Sequence, residues 1–253
     1  MLVTIVMNTN GSHPKLIGNA IQSVLNQTYE DFELLITCIH PDGLRLNCND
    51  SRIRIINRKP FDQYPKQMVY TISEVRTPYW CNLDSDDYIR PMHLENLVNG
   101  ILFARKSRMH SPMAVGCELG LMSWAFKIEK YIAEGWLRWM FSKIHTKRYN
   151  DLLEKYKYQS GFDKIIQNRL PWHKMYLPKD TEPTYLYQYD VAFHISKYKR
   201  EGQKVDQPIT PLPVITPELI MDYEFIIREF INKHYKKPVD WITKYIGNNI
   251  KRY

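Results

Sequence analysis

The sequence predicts an α/β protein with a mostly parallel sheet flanked by helices, and three observations carry that expectation. Short apolar, β-branched runs alternate with amphipathic segments at helical spacing through the first third of the chain. Proline and polar turns separate them, and an acidic cluster follows directly on the fourth run. Such alternation implies strands paired in parallel through crossover helices.

Residues 2–7 are a short apolar run that reads as a buried strand. Asn8 to Ser12 is a polar turn, and Pro14 suits a first helical turn, where an N–H would be unpaired in any case. Leu16, Ile17, Ala20, Ile21, Val24 and Leu25 recur on one helical face, which Gln27-Thr28-Tyr29 closes. Strands are expected at 32–39 and 53–56, with Pro41-Asp42-Gly43 as a turn between them. A second helix follows Pro65, with Met68, Val69, Ile72 and Val75 on one face. Thr77-Pro78 ends it, because a residue before proline avoids the α region. The fourth strand, 79–83, runs into Asp84-Ser85-Asp86-Asp87, and Pro91 opens a third helix carrying Leu94, Leu97, Val98, Ile101 and Leu102. Ligands of parallel sheets bind outside the carboxyl ends of the strands. Segments 8–12 and 84–87 therefore converge on one rim.

The segment from about 106 to 158 is different, being rich in Trp, Met, Lys and Arg, and is expected to be a helical insertion. Trp124-Ala125-Phe126 and Trp136 to Phe141 are its apolar clusters, and 143–157 is expected to be a basic helix. α/β character returns weakly after Gly161, and 217–253 reads as C-terminal helices. No internal repeat or low-complexity segment is present.

With 253 residues and 44% hydrophobic content, the chain can bury a sizeable core. Lys and Arg outnumber Asp and Glu by 35 to 27, a balance that favours anionic partners or simply provides solubility. Cys38, Cys48, Cys81 and Cys117 form no CxxC pair or zinc spacing, and free thiols fit a cytoplasmic setting. Met1 leads straight into the first strand, without the basic start of a signal peptide, and no run approaches the ~18 apolar residues of a membrane span.

Three carboxylates within four residues repel one another unless cations offset them. Hard oxygen ligands of this kind suit Mg²⁺ or Mn²⁺, which bind phosphate oxygens beside one or two carboxylates. An acidic turn that caps a helix is the plainer account of the cluster, and its place at a strand's carboxyl end favours the ligand.

Two segments carry a family resemblance. Val3-Thr4-Ile5-Val6-Met7, followed by Ala20-Ile21-Gln22-Ser23-Val24-Leu25-Asn26-Gln27-Thr28-Tyr29-Glu30-Asp31-Phe32-Glu33-Leu34, resembles the family 2 glycosyltransferases. Tyr79-Trp80-Cys81-Asn82-Leu83-Asp84-Ser85-Asp86-Asp87 resembles their DxD segment, in the same order along the chain. The resemblance covers about residues 1–105. It implies the Rossmann-like GT-A fold, an Mn²⁺ or Mg²⁺ ion, a nucleoside-diphosphate sugar donor (a UDP-sugar foremost), and inversion at the anomeric carbon.

Carried over residue by residue, Asp86 looks like the metal-binding carboxylate, and Asp84 like the ribose-side or second metal-side one. Thr9, Asn10, Asp42, Lys66 and Ser85 complete the expected nucleotide-sugar contacts. Asp190, in a segment with the layout of the family's base followed by helix, glycine and strand, is the expected catalytic base. Trp172, His173 and Lys174 resemble the acceptor-lining segment. The chain departs from the pattern at several places. Thr37-Cys38-Ile39-His40-Pro41-Asp42 stands where an acidic pair usually meets the nucleobase, with Asp42 a substitute. Asn8-Thr9-Asn10 replaces a Pro-Thr-Tyr turn, Lys66 stands nearest an absent arginine, and Tyr189 replaces a glutamate before the base.

The expected organisation is a nucleotide-sugar-binding half at 1–105, an acceptor-side half with the basic insertion at 106–216, and C-terminal helices at 217–253. The basic, aromatic insertion leaves several acceptors open. One is a glycan or lipid-linked envelope acceptor, with Trp136 to Phe141 as an interfacial apolar face making peripheral membrane contact. Another is nucleic acid, as in transferases acting on hydroxymethylated phage-type DNA, with lysines on phosphates. A non-enzymatic alternative is a degenerate GT-A domain that only binds nucleotide or a partner. Sequence does not specify the oligomeric state.

Overall fold

The structure is a computed structural model, and it describes residues 1–11, 14–46, 49–59, 64–106, 114–122, 137–156, 169, 175–177, 184–188 and 251–252. Strands β1 (Val3–Thr9), β2 (Phe32–Cys38), β3 (Ile53–Asn57) and β4 (Tyr79–Asn82) form the first half of the sheet. Helices α1 (Pro14–Leu25) and α2 (Tyr64–Ser73) provide two of the crossovers. The short strand β5 (Tyr88–Ile89) and α3 (His93–Lys106) follow. Later come β6 (Ala114–Met122), β7 (Leu137–Ser142), α4 (Thr146–Tyr156), β8 (Met175–Leu177), β9 (Tyr185–Gln188) and β10 (Lys251–Arg252).

The main sheet runs β10-β8-β6-β7-β4-β1-β2-β3. β1 lies in parallel between β2, where Val3 meets Phe32, and β4, where Val3 meets Tyr79. Strands in that position are covered on both faces, and every residue of β1 and β2 is buried. α1 buries Leu16, Ile17, Ala20, Ile21 and Val24, the stripe that its spacing implies. Cys38 and Cys81 are buried free thiols that pack as small apolar residues. On α3 the buried stripe is Leu94, Leu97, Val98, Ile101 and Ala104. Leu102, expected in it, is 48% exposed, because it lies about 100° round the helix from Ile101.

The middle segment departs from a purely helical insertion. β7 is a strand, antiparallel to β4, with Tyr79 opposite Ser142 and Cys81 opposite Met140, and β6 pairs antiparallel with β7. Met140 and Phe141 are buried, and Phe141 stacks on Trp80 with ring centroids 4.9 Å apart. An interfacial face running through Phe141 is therefore ruled out for these two side chains. The reason is physical: an inner strand is covered on both sides, so its apolar run loses the alternation that separates strand from helix in sequence. The basic helix does form, as α4, entered by a 3₁₀ turn at Lys143–His145. Leu153 packs inward while Lys147, Arg148 and Lys155 face outward. Of the C-terminal helices expected at 217–253, residues 217–250 and 253 lie outside the described residues, while Lys251–Arg252 is not helical: it forms β10, which takes its hydrogen bonds from pairing in parallel with β8. Among the described residues, no helix is long and apolar enough to cross a membrane.

Candidate active site at the carboxyl edge of the sheet

The rim is built first from the ends of β1 and β2. A buried polar network ties them to α2. Thr71 Oγ1 lies 2.5 Å from Asn8 Oδ1, 2.8 Å from Thr37 Oγ1 and 2.9 Å from the Gln67 carbonyl. With a single proton to give, that hydroxyl donates to one of the two carbonyl oxygens and can accept from Thr37. Gln67 Nε2 donates to the Thr37 carbonyl at 3.0 Å, and Asn8 Nδ2 approaches Met68 Sδ at 3.4 Å. Buried polar groups tolerate such a position only when paired. The network fixes the helix against the strand ends. α2 thus opens at this rim with Lys66 in its first turn, and the positive end of the helix dipole adds to the lysine charge there.

The turn after β1 is shaped by close backbone approach. Ile39 N–H donates to the Thr9 carbonyl at 3.0 Å, and Gly11 N–H to Thr9 Oγ1 at 3.1 Å. Gly11 has φ +78°, and a Cβ there would meet His40 Cδ2 at 2.6 Å. Only glycine allows both the left-handed conformation and that contact. His40 is itself buried, and its Nδ1 accepts the Asp42 N–H at 3.1 Å. The exposed Asp42 carboxylate lies 3.8 Å from the same ring nitrogen.

The acidic turn at the end of β4 is held from two sides. Asn82 Nδ2 donates to Asp84 Oδ1 at 2.8 Å. From β9, the Tyr185 hydroxyl accepts the Asp84 N–H at 3.1 Å and donates to Asp87 Oδ2 at 2.6 Å. Asp87 is 2% exposed, while Asp84, Ser85 and Asp86 are half-buried. One of the three crowded carboxylates is thus absorbed into the scaffold, and the other two stay at the surface of the rim. Next to them, Asn82 Oδ1 is buried without a hydrogen-bond partner among the described residues, on the side chain whose Nδ2 meets Asp84. Asp84, Asp86 and Asn82 are oxygen donors of the kind that Mg²⁺ or Mn²⁺ takes beside phosphate oxygens and water, although among the described residues no group of three or more His, Cys, Asp or Glu is placed to hold a metal ion.

A family model described as glycosyl transferase family 2 matches residues 2–170. The chain belongs to that family. It is a glycosyltransferase by that membership. The architecture is similar to the crystal structure of S. aureus TarS, at 13% identity and a TM-score of 0.51, covering 98% of this chain and 46% of that one. This chain therefore spans about half the length of that protein. A TarS 1–349 structure in complex with UDP-GlcNAc is similar at 11% identity and a TM-score of 0.49, covering 97% of this chain and 72% of that one. No curated protein matches the chain in sequence.

The residues that carry the family 2 resemblance serve mainly to hold the acidic turn. Gln27 Nε2 donates to the Arg90 carbonyl at 2.8 Å, and Gln27 Oε1 accepts the Leu94 N–H at 2.9 Å. One side chain thereby satisfies an orphan donor at the start of α3 and ties it to the end of α1. Ser23 Oγ accepts the Ile89 N–H at 3.3 Å, and Thr28 Oγ1 donates to Glu95 Oε2 at 2.7 Å. Glu33 takes both Arg54 Nε at 2.7 Å and Thr4 Oγ1 at 3.2 Å, linking the strands. The chain's segment 84–95 is thus locked between α1 and β9.

Among the expected site residues, Thr9 is buried and turns its hydroxyl oxygen to the backbone, while Asn10 is exposed at the rim. Asp42 is exposed on the turn after β2, closed by Gly43 N–H donating to the His40 carbonyl at 2.9 Å. Lys66 is half-buried. Asp190, Trp172, His173 and Lys174 lie outside the described residues. Sequence reasoning missed Tyr185, Asn82 and the pair His93–Thr184. His93 is fully buried with its Nδ1 2.8 Å from Thr184 Oγ1, and burial pushes its pKa down to about 3. Asn82 was legible as the last residue of the strand, two before the acidic motif. Tyr185 was not, since it meets Asp87 across 98 residues of chain.

Proposed function

We propose that the chain transfers a sugar from a nucleoside-diphosphate sugar, a UDP-sugar foremost, to an acceptor hydroxyl, with inversion and with a divalent ion. The observation that carries this reading is the pair of half-buried carboxylates Asp84 and Asp86 just after β4, in a turn where Asn82 and the Tyr185 hydroxyl hold Asp84. Asp86 and Asp84 would hold Mn²⁺ or Mg²⁺. Such an ion, when bound, supplies positive charge to a leaving diphosphate.

The remaining work falls to the chain's own groups. Residues 1–105 form the donor-binding half, in which Thr9, Asn10, Asp42, Lys66 and Ser85 orient the nucleotide sugar. Lys66 and the amino end of α2 face the same rim as the acidic turn, which favours a bound diphosphate. Residues 106–216 form the acceptor side, with Trp172, His173 and Lys174 along it. Asp190 acts as general base: it takes the proton of the acceptor hydroxyl as that oxygen bonds to the anomeric carbon and the bond from that carbon to the diphosphate breaks. The pairing of β5 with β9 supports this assignment, because it anchors the segment leading toward Asp190 beside the acidic turn. The acceptor is a glycan or other envelope hydroxyl.

The test is binding of UDP-, GDP-, CDP- and TDP-sugars followed by thermal shift, with Mn²⁺ and with chelator, for the parent chain and for Asp86→Ala. Stabilisation by one donor that disappears on chelation and in Asp86→Ala is expected. Equal donor affinity in the variant would overturn the role of Asp86. For Asp190→Asn, donor binding should persist and transfer should cease.

A further inference from the structure

We infer that the opposite edge of the sheet carries a second, separate site, a groove that binds a phosphate-bearing ligand. The groove has a volume of about 510 Å³ and is lined by Arg76, Thr77, Tyr79, Arg105 and Lys143, with Ile144 at its side. It sits where β4 begins and β7 ends, since Tyr79 pairs with Ser142. The acidic turn follows the far end of β4, about 16 Å away at the usual rise of an extended chain.

Three cations face this groove and no carboxylate lines it among the described residues. Arg76, Arg105 and Lys143 are all exposed, and none makes an ion pair with a described residue. The ends of α2 and α3 lie here, and helix carboxyl ends attract cations. That attraction accounts for Lys143, whose Nζ donates to the Val75 carbonyl at 2.6 Å. It bears on the two guanidinium groups as well, but neither donates to a helix-end carbonyl of a described residue. Arg76 bonds to no described residue, and Arg105 donates from Nη2 to the Tyr79 hydroxyl while lying 5.6 Å from that ring's centroid. Tyr79 is 4% exposed, so its hydroxyl is held in place. Having accepted from Arg105, that hydroxyl still has its own proton to give. Two guanidinium forks, an ammonium and a fixed O–H donor match the several oxygens of a phosphate group.

The ligand chemistry is phosphate, and its source is either a soluble phosphate ester or a lipid headgroup, the latter consistent with Ile144 being 73% exposed beside Lys143. The experiment uses the full chain with chelator present, so that the acidic turn holds no metal. Binding of inorganic phosphate is measured by titration. Binding to vesicles of phosphatidylcholine with phosphatidylglycerol is measured by flotation, against phosphatidylcholine alone. The variants are Arg76→Gln, the double variant Arg76→Gln/Arg105→Gln, and the charge-matched pair Lys147→Gln/Arg148→Gln on α4.

Saturable binding in the parent and in the α4 pair, weakened about tenfold or more in the groove double variant, supports the site. Loss of phosphate binding alone identifies a soluble ester as the source, and loss of vesicle binding identifies a headgroup. Equal weakening in both double variants would mean bulk charge attraction only and would overturn the proposal. So would a parent chain that binds neither probe, or a groove variant that loses thermal stability without losing binding, which would make these cations helix caps. Arg76→Gln alone breaks no hydrogen bond or ion pair to a described residue, so it keeps the test open should the double variant fail to fold.

Discussion

The Tyr185 hydroxyl donates to Asp87 Oδ2 at 2.6 Å, joining β9 to the acidic turn across 98 residues of chain. The same oxygen accepts the Asp84 N–H, so a single side chain fixes both ends of that turn. Tyr185→Phe keeps the ring and removes both bonds. Leaving a buried carboxylate short of a donor costs about 1–3 kcal/mol. Urea denaturation should show a loss of that order, and titration with nucleotide sugar should show weaker binding. Unchanged donor affinity at reduced stability would make Tyr185 a purely structural clamp.

Gly11→Ala tests the turn after β1. The substitution forces an alanine to φ +78° with its Cβ 2.6 Å from His40 Cδ2. Backbone strain of this kind costs about 1–3 kcal/mol. The neighbouring His40 ring must also shift, disturbing the ends of both β1 and β2. Lower stability together with weaker donor binding is expected from denaturation and thermal-shift titration. A variant that matches the parent in both would show that the rim does not depend on this contact.

His93 gives the fold a pH dependence of known sign. Its pKa is lowered by burial from 6.5 to about 3. Between those values the unfolded chain binds a proton that the folded chain does not. The stability it contributes is therefore complete above about pH 6.5 and is lost as pH falls toward about 3, with a slope of at most ~1.4 kcal/mol per pH unit. Urea midpoints measured down that range should fall more steeply for the parent than for His93→Gln. Parallel curves would mean that other groups set the acid limit.

Phe141→Ala and Ile144→Ala separate core from surface within one short segment. Phe141 is 6% exposed, packed between Trp80 and Tyr149, whereas Ile144 is 73% exposed. The first should cost about 3–5 kcal/mol. The second should stay within about 0.5 kcal/mol, as surface substitutions usually do. Comparable losses in the two would contradict the placement of β7 against β4.

The first half of the sheet was legible because its signals are local. Leu16, Ile17, Ala20, Ile21 and Val24 announce a helix by spacing alone, and Pro78 and Pro91 mark boundaries by what proline forbids. The acidic turn was legible because strand, motif and helix follow one another without a gap. β7 was not, since its successive residues Met140, Phe141 and Ser142 are all buried and show no alternation. Glu33 and Gln27 stood out as parts of a motif, and their work of bridging β1 to β3 and α1 to α3 appears only in three dimensions.

By itself, the sequence determined the parallel α/β architecture, the family, and the carboxylates offered at one rim, since each follows from neighbours along the chain. Tertiary structure alone decided which of those carboxylates is spent. Asp84, Asp86 and Asp87 are chemically alike in sequence, and only the arrival of Tyr185 from a distant strand buries Asp87 and leaves the other two at the surface of the rim. The physical reason is that ionisation, burial and hydrogen bonding depend on what lies within a few ångströms, and here that neighbour comes from far along the chain.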